Sequence, residues 1–136
     1  MLPGYAGMKQ ATGGGKALLY VAGAFNFGAA LVLVVLARFA PQLLGVDAPS
    51  DSQLLYVDLC ALLVAGFGVG YVLGGRDLSR FWPFISLGAL CKVGVVVLAA
   101  GYFMSGNTGP LVMLLATGDA VFAVLFVRLL RASQTG

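Results

Sequence analysis

The chain has 136 residues, of which 60% are hydrophobic and 10% are charged, and its formal net charge is +3. Soluble domains carry about 25% charged residues, and one domain of this length could not hide so much apolar surface from water. The composition therefore excludes a soluble protein and indicates a lipid bilayer as the partner, while the scattered basic residues exclude a nucleic-acid partner.

The chain opens on a segment rich in glycine, residues 1–16, which we expect to be a flexible cytoplasmic tail. The first apolar run, 17–39, contains no charge before Arg38. A helix of about 20 residues, rising about 1.5 Å per residue, crosses the hydrocarbon layer, so this run predicts a transmembrane helix. Pro41 ends it, and after a loop either Ser50 or Asp51 is a candidate N-cap for the next helix.

Three further apolar runs of similar length follow, separated by short polar turns. Short turns make consecutive helices antiparallel, so the sequence predicts an all-α, antiparallel four-helix transmembrane bundle over residues 17–131. Residues 132–136 remain as a second cytoplasmic tail. The three predicted helices cover residues 52–74, 81–104 and 110–131.

The basic residues that flank these helices divide six to one between the two ends of the bundle. Arg38 is the one basic residue at its end. Because cytoplasmic loops are enriched in Lys and Arg, both termini are predicted to be cytoplasmic, in what we expect to be a bacterial inner membrane. The six on the opposite side are Lys9, Lys16, Arg76, Arg80, Arg128 and Arg131.

The second helix carries Gly66, Gly70 and Gly74, one glycine every four residues. Such a face lets another backbone approach closely, which is how helices associate in lipid. We predict a helix-packing face here, with contact inside the four-helix unit favoured over contact in a homo-oligomer.

Four polar residues lie inside the predicted helices: Asn26, Asp58, Lys92 and Asp119. A charge at the centre of a membrane helix costs roughly 2.5–3.5 kcal/mol, so each of them needs a partner or a task. Counted back from the turn between the third and fourth helices, Lys92 and Asp119 lie within about one helical turn of depth, and we predict that they face each other. The sharper hypothesis is one buried polar cluster formed by all four residues.

The Lys92–Asp119 pair has two interpretations. A structural ion pair that fixes the third helix to the fourth is favoured, because the two charges neutralise each other. The alternative is a proton or ion relay, or the polar floor of a ligand cavity. Small residues beside both charges, Ala89 and Ala116 among them, indicate an interhelical seam.

The sequence contains few of the residue patterns that enzymes use for catalysis. Histidine is absent, which excludes a histidine base and His-ligated haem or zinc, and Cys60 and Cys91 form no CxxC pair. We therefore predict no metal site and no cofactor, and we do not expect an enzyme.

Three stretches carry a family resemblance: Gly66–Tyr71 (GFGVGY), Gly88–Lys92 (GALCK), and Gly118-Asp119 followed by Phe122 and Phe126. With the order of the helices, they make residues 17–130 resemble small bacterial four-helix membrane proteins of the DoxX-like kind. The resemblance implies an inner-membrane protein and, from some members, a subunit of a membrane redox complex.

Three functions stay open on the sequence alone. The leading hypothesis is an accessory or structural subunit of a larger membrane assembly, since the loops are short and no catalytic set is present. The second is a small transporter or channel that uses Lys92 and Asp119 as a relay. The chain has no glutamate, which departs from the small multidrug transporters that also have four helices. The third is a protein that binds a lipid or a quinone.

Overall fold

The structure, a computed structural model, describes residues 9–134. Four long α-helices and a short 3₁₀ helix at Pro41–Leu44 account for most of this range, and residues 9–134 contain no strand. The prediction of an all-α fold with four helices is confirmed. The helices are α1 at Gly13–Phe39, α2 at Asp51–Arg76, α3 at Leu78–Met104 and α4 at Pro110–Gln134.

All four helices are long and apolar enough to cross a membrane. They contain 25 to 27 residues each, which at about 1.5 Å per residue exceeds the roughly 30 Å of a hydrocarbon core. The chain is therefore a multi-pass membrane protein. α1 packs mainly on α2, and α3 packs mainly on α4, so the bundle consists of two helical hairpins.

The first three helices begin earlier than the apolar pattern predicts, because polar residues cap them, whereas α4 begins at the predicted Pro110. The Thr12 hydroxyl accepts a hydrogen bond from the Gly15 backbone N–H at 3.4 Å, so residues 13–16 belong to α1 rather than to a flexible tail. Ser50 caps α2 in a capping box with Gln53, as the sequence predicts. The last helix, α4, continues to Gln134, three residues beyond its predicted end.

The segment before α1 is held against the bundle instead of forming a free tail. The Gln10 amide donates hydrogen bonds to the carboxylate of Asp77 at 2.9 Å and to the hydroxyl of Ser79 at 3.3 Å. The Lys9 backbone N–H donates to the Ser133 carbonyl at 3.3 Å. The rest of the predicted tail, residues 1–8 and residues 135–136, lies outside the described range.

The polar turn between α2 and α3 shortens to one residue, Asp77. Its side chain accepts from the Arg80 backbone N–H at 3.2 Å and so caps α3 immediately after α2 ends. Arg76 and Arg80, which the sequence assigns to a turn, are consequently helical. This tight reversal places the last residues of α2 beside the first residues of α3.

The predicted glycine face on α2 packs at two of its three positions. A Cβ on Gly74 would lie 2.8 Å from the Ile85 side chain, and one on Gly70 would overlap the Phe84 ring. Gly66 has nothing within 4 Å of such a Cβ and takes no part in packing inside the chain. The aromatic rings of Phe67 and Phe84, 5.2 Å apart, fill the space between α2 and α3 beside it.

The backbones of α1 and α2 approach each other closely at two glycines, one of which, Gly68, lies on α2 outside the predicted glycine series. A Cβ on Gly68 would lie 3.1 Å from the Gly23 carbonyl, and one on Gly23 would lie 3.0 Å from the Gly68 carbonyl. Only hydrogen at both positions permits α1 and α2 to touch here. The contact fixes the hairpin that carries Asn26 three residues further along α1.

The interior is packed unevenly along the bundle axis. The half nearest the chain termini is filled by large side chains, and Leu19, Leu78, Ile85 and Phe126 are fully buried there. In the opposite half most of the buried positions hold alanine, and these are Ala30, Ala37, Ala61, Ala99 and Ala116. Small side chains at inward positions leave space unfilled, and this half of the bundle is hollow.

Candidate functional site

The centre of the site is an ion pair between α3 and α4. The Lys92 ammonium donates a hydrogen bond to the Asp119 carboxylate, which confirms the pairing predicted from the turn. The side chains are 5% and 17% exposed, so both charges are withdrawn from the surface. At this depth in the bundle each charge needs the other, because an unpaired charge there would be costly.

Asn26 connects the pair to the other hairpin. Its side-chain oxygen accepts a hydrogen bond from the Lys92 ammonium at 3.0 Å, while its amide donates to the Val64 carbonyl of α2 at 3.0 Å. Asn26 is 5% exposed, and both halves of its amide are satisfied. Asn26, Lys92 and Asp119 thus form a polar cluster that joins α1, α3 and α4 and reaches the backbone of α2.

Three aromatic rings surround the Lys92 ammonium. Its Nζ lies 5.4 Å from the ring centroid of Tyr71, 5.5 Å from that of Phe25 and 5.6 Å from that of Phe122. Ring faces attract cations at these distances, most strongly where water is excluded. The sequence pattern did not predict this cage. Its one signal is the spacing of Phe122 three residues after Asp119, which places both side chains on one face of α4.

A cavity of about 250 Å³ adjoins the polar cluster. All four helices contribute to its wall, which is mostly apolar and includes Ala29, Leu63 and Leu115. Asn26, Lys92 and Asp119 also line it, together with Tyr71 and Cys91. The cavity therefore has apolar sides and a hydrogen-bonding floor, the arrangement typical of small-molecule sites in helix bundles.

The cavity is closed toward the chain termini and extended toward the opposite end. Below the polar cluster lies the packed core, which includes Leu19, Ile85 and Phe126. On the other side Val95 and Val112 border both this cavity and a second one of about 330 Å³. The second cavity lies between α3 and α4 and reaches Asn107 and Thr108 in the turn.

Asp58 is not part of the polar cluster, contrary to the sequence hypothesis. Its carboxylate accepts a hydrogen bond from the Arg38 guanidinium at 2.8 Å, and the two side chains are 46% and 34% exposed. Arg38 also donates to the Val34 carbonyl one turn back at 3.2 Å, so its side chain runs back along α1. Counted along the backbone, no basic residue of α2 lies at the depth of Asp58, but the long side chain of Arg38 reaches it from α1 across a helical turn.

The cysteines and carboxylates add no metal site. Cys60 and Cys91 are both free thiols, and within residues 9–134 no three His, Cys, Asp or Glu side chains converge. At the floor of the cavity Lys92, Asp119 and Asn26 supply hydrogen bonding and charge stabilisation.

No protein-family model, curated protein or solved structure matches this chain. The resemblance to DoxX-like proteins stays a prediction.

Proposed function

We propose that this protein binds a neutral, lipid-soluble small molecule in the cavity between its four helices. The observation that carries the proposal is the position of the polar cluster, at the floor of an otherwise apolar cavity of about 250 Å³. The polar head of the ligand meets Lys92 and Asp119, and its apolar body lies among the side chains of the hollow half. Such a molecule partitions into the bilayer and reaches the site from there.

The charge balance of the site favours a neutral ligand. Lys92 and Asp119 already compensate each other. A charged ligand would add an uncompensated charge at this depth, at a cost of roughly 2.5–3.5 kcal/mol for a charge at the centre of a membrane helix. A neutral head group brings no such cost.

The hydrogen-bonding capacity of the floor specifies the head group further. An ammonium group has three N–H donors, and Lys92 gives hydrogen bonds to Asn26 and Asp119, which leaves one donor for a ligand. Asp119 contributes a second carboxylate oxygen as an acceptor. A carbonyl oxygen accepts the hydrogen bond from Lys92, and a hydroxyl group can in addition donate one to Asp119, which places quinones, isoprenoid alcohols and other neutral lipids with an oxygen head in the ligand class.

The packed core argues against the relay function. A path for ions or protons through the bundle requires polar groups on both sides of the cluster, but on the terminal side it meets Leu19, Ile85 and Phe126, all fully buried. A cavity that ends blindly is suited to holding a molecule rather than conducting one. Docking on a larger membrane assembly is compatible with this binding function and stays a prediction.

We also propose an orientation of the bundle in the membrane. Six basic residues lie at the end of the bundle that carries the chain termini, and Arg38 lies at the opposite end, beside the hollow half. Because cytoplasmic loops are enriched in Lys and Arg, this distribution supports cytoplasmic termini in a bacterial inner membrane. The hollow half then faces the outer leaflet, and the ligand is drawn from that leaflet.

The test is the identity of the lipid that remains on the purified protein. Protein in a mild detergent is extracted with organic solvent, and the neutral lipids are quantified by mass spectrometry against the membrane from which it came. We expect a neutral lipid to be enriched on the wild-type protein. Ala29→Leu, which fills the cavity from α1, should remove most of it.

Ala24→Leu is the matched control, because it makes the same substitution on the same helix at an exposed position. It should retain the lipid at the wild-type level. The proposal fails if no neutral lipid is enriched on the wild-type protein, or if the Ala29→Leu and Ala24→Leu variants retain equal amounts.

A further inference from the structure

The central cavity is not enclosed on all sides, and its opening lies between α2 and α3. Among the residues that line the cavity, those of α1 and α4 are buried or half-buried. By contrast, Leu63 of α2 is 66% exposed, Val95 of α3 is 46% exposed, and Cys91 of α3 is exposed as well. These residues form the rim of a side opening, which we name the lateral slot.

The lateral slot results from the way in which α2 and α3 pack near the turn that joins them. There the Phe84 ring covers Gly70 so closely that a Cβ on this glycine would overlap it. This contact holds the two helices together over the half of the bundle nearest the chain termini. Further from the turn, Leu63 and Val95 are exposed instead of packed against each other, so the slot remains open.

The slot opens into the hydrocarbon layer rather than into water. Leu63 precedes Asp77 by as many residues as Cys91 follows it, so both lie at one depth, about 21 Å from the turn at about 1.5 Å per residue. The whole helices, of 26 and 27 residues, are about 40 Å long at the same rise. This depth therefore falls within the roughly 30 Å hydrocarbon core, where an apolar chain is the occupant that costs least.

The size of the central cavity leaves no room for a whole lipid. Its volume is about 250 Å³, whereas pockets that enclose an entire small molecule measure about 300–1,000 Å³. A head group on Lys92 and Asp119 therefore shares the cavity with only the first part of its chain, and the remainder has to lie outside. Toward the chain termini the packed core around Phe126 blocks the path, whereas the slot opens directly to the lipid.

We propose that the neutral ligand carries a long hydrocarbon chain, that it enters through the lateral slot, and that its chain stays in the slot between Leu63 and Val95. This inference rests on the proposed binding function and deepens it, because it selects long-chain lipids over small neutral molecules. With the chain in place, the Cys91 thiol is covered. Cys60 on α2 is a second free and exposed thiol, about one helical turn from the depth of Leu63, and it lies outside the cavity wall.

The two cysteines provide the experiment, which is alkylation by N-ethylmaleimide of the full-length protein in mild detergent after its lipid has been removed. Labelling of each thiol is followed by peptide mass spectrometry. The micelles contain either phytol, a long-chain isoprenoid alcohol, or prenol, the single-isoprene alcohol with the same head. At about ten times its dissociation constant, phytol should slow the alkylation of Cys91 about tenfold, because only unoccupied protein reacts there. Cys60 should react at an unchanged rate, and prenol should leave both thiols reactive.

A substitution at the rim tests the slot from the other side. Leu63→Trp should close the slot from α2 and lower the amount of phytol that the protein retains. Leu62→Trp is the matched control, because position 62 is 68% exposed and lies outside the cavity wall. This variant should retain phytol at the wild-type level. Thermal unfolding of both variants at the wild-type temperature, measured by circular dichroism, shows that loss of phytol does not reflect loss of fold.

Several outcomes would overturn the inference. These are resistance of Cys91 to alkylation in lipid-free protein, an unchanged rate at Cys91 with phytol, equal protection of both cysteines, or protection by prenol as complete as that by phytol. Each of them leaves the central binding function intact as long as the wild-type protein retains a neutral lipid that Ala29→Leu loses. If no neutral lipid is enriched on the wild-type protein, the binding function itself fails.

Discussion

Asn26 of α1 accepts a hydrogen bond from the Lys92 ammonium of α3 at 3.0 Å, although the two residues are 66 positions apart. α1 and α3 belong to different hairpins, and this bond joins the hairpins at the depth of the cavity. The same ammonium is bonded to Asp119 and surrounded by three rings. Lys92 is therefore the residue on which both the stability of the bundle and the floor of the binding site depend.

Removal of one charge of the central pair should destabilise the protein strongly. Asp119→Leu leaves the Lys92 ammonium buried without its counter-charge. Lys92→Met leaves the Asp119 carboxylate buried without its counter-charge. We expect the free energy of unfolding to fall by about 3–5 kcal/mol in each single variant. The double variant should recover most of this loss, because two apolar side chains replace both charges. Unfolding in mixed micelles of mild detergent and dodecyl sulfate, followed by circular dichroism, measures the difference.

The ion pair between Arg38 and Asp58 should behave differently. Its side chains are 34% and 46% exposed, so the protein does not enclose either charge. Arg38→Gln or Asp58→Asn should lower the free energy of unfolding far less than Asp119→Leu does, because exposed ion pairs contribute little to stability. A loss as large as that of Asp119→Leu in the same assay would mean that Asp58 belongs to the buried cluster after all.

The sequence was sufficient to predict the four helices and the pairing of Lys92 with Asp119 in the site. Long apolar runs predict the helices because lipid demands about 20 apolar residues for each crossing. Counting from a short turn pairs Lys92 with Asp119 because helical rise is constant. The assignment of Asp58 failed because backbone depth does not determine where a long side chain such as Arg38 ends.

The cavity and the aromatic cage could not be predicted in the same way. An alanine on an inward face, such as Ala116, is compatible with two helices in contact or with a hollow between them. The choice depends on the spacing of the helices, which distant contacts such as Gly23 against Gly68 determine. Phe25, Tyr71 and Phe122 face Lys92 only once all four helices have assembled.

The glycines of α2 should separate into two classes on substitution. Gly70→Ala places a methyl group against the Phe84 ring and should lower the free energy of unfolding by about 1–3 kcal/mol through overpacking. Gly66→Ala meets no atom within 4 Å and should leave stability unchanged or raise it by up to about 1 kcal/mol through helix propensity. The melting temperatures of the two variants in one detergent measure the contrast. Equal destabilisation by Gly66→Ala would indicate a contact with a second copy of the chain.

The Asp77 cap should make the tight α2–α3 turn sensitive to acid. Hydrogen bonds from the Ser79 hydroxyl, the Gln10 amide and the Arg80 backbone N–H lower the pKa of Asp77 below its usual range. Because the folded-state pKa is the lower one, the stabilisation is complete above the ordinary aspartate pKa. It is lost as pH falls through the lowered value. Asp77→Asn should flatten this part of the curve of melting temperature against pH, whereas an unchanged acid limb would assign the transition to other carboxylates.

Filling the hollow half should stabilise the protein while it removes the site. Ala116 is 2% exposed and lines the cavity, so Ala116→Leu adds apolar contacts in space that is already present. Cavity-filling substitutions commonly raise the free energy of unfolding by about 0.5–2 kcal/mol, and the usual cost is function. We therefore expect a higher melting temperature for protein stripped of lipid, together with loss of the bound neutral lipid. Destabilisation by Ala116→Leu would show that the space is already filled by side chains, and the binding proposal would then lose its site.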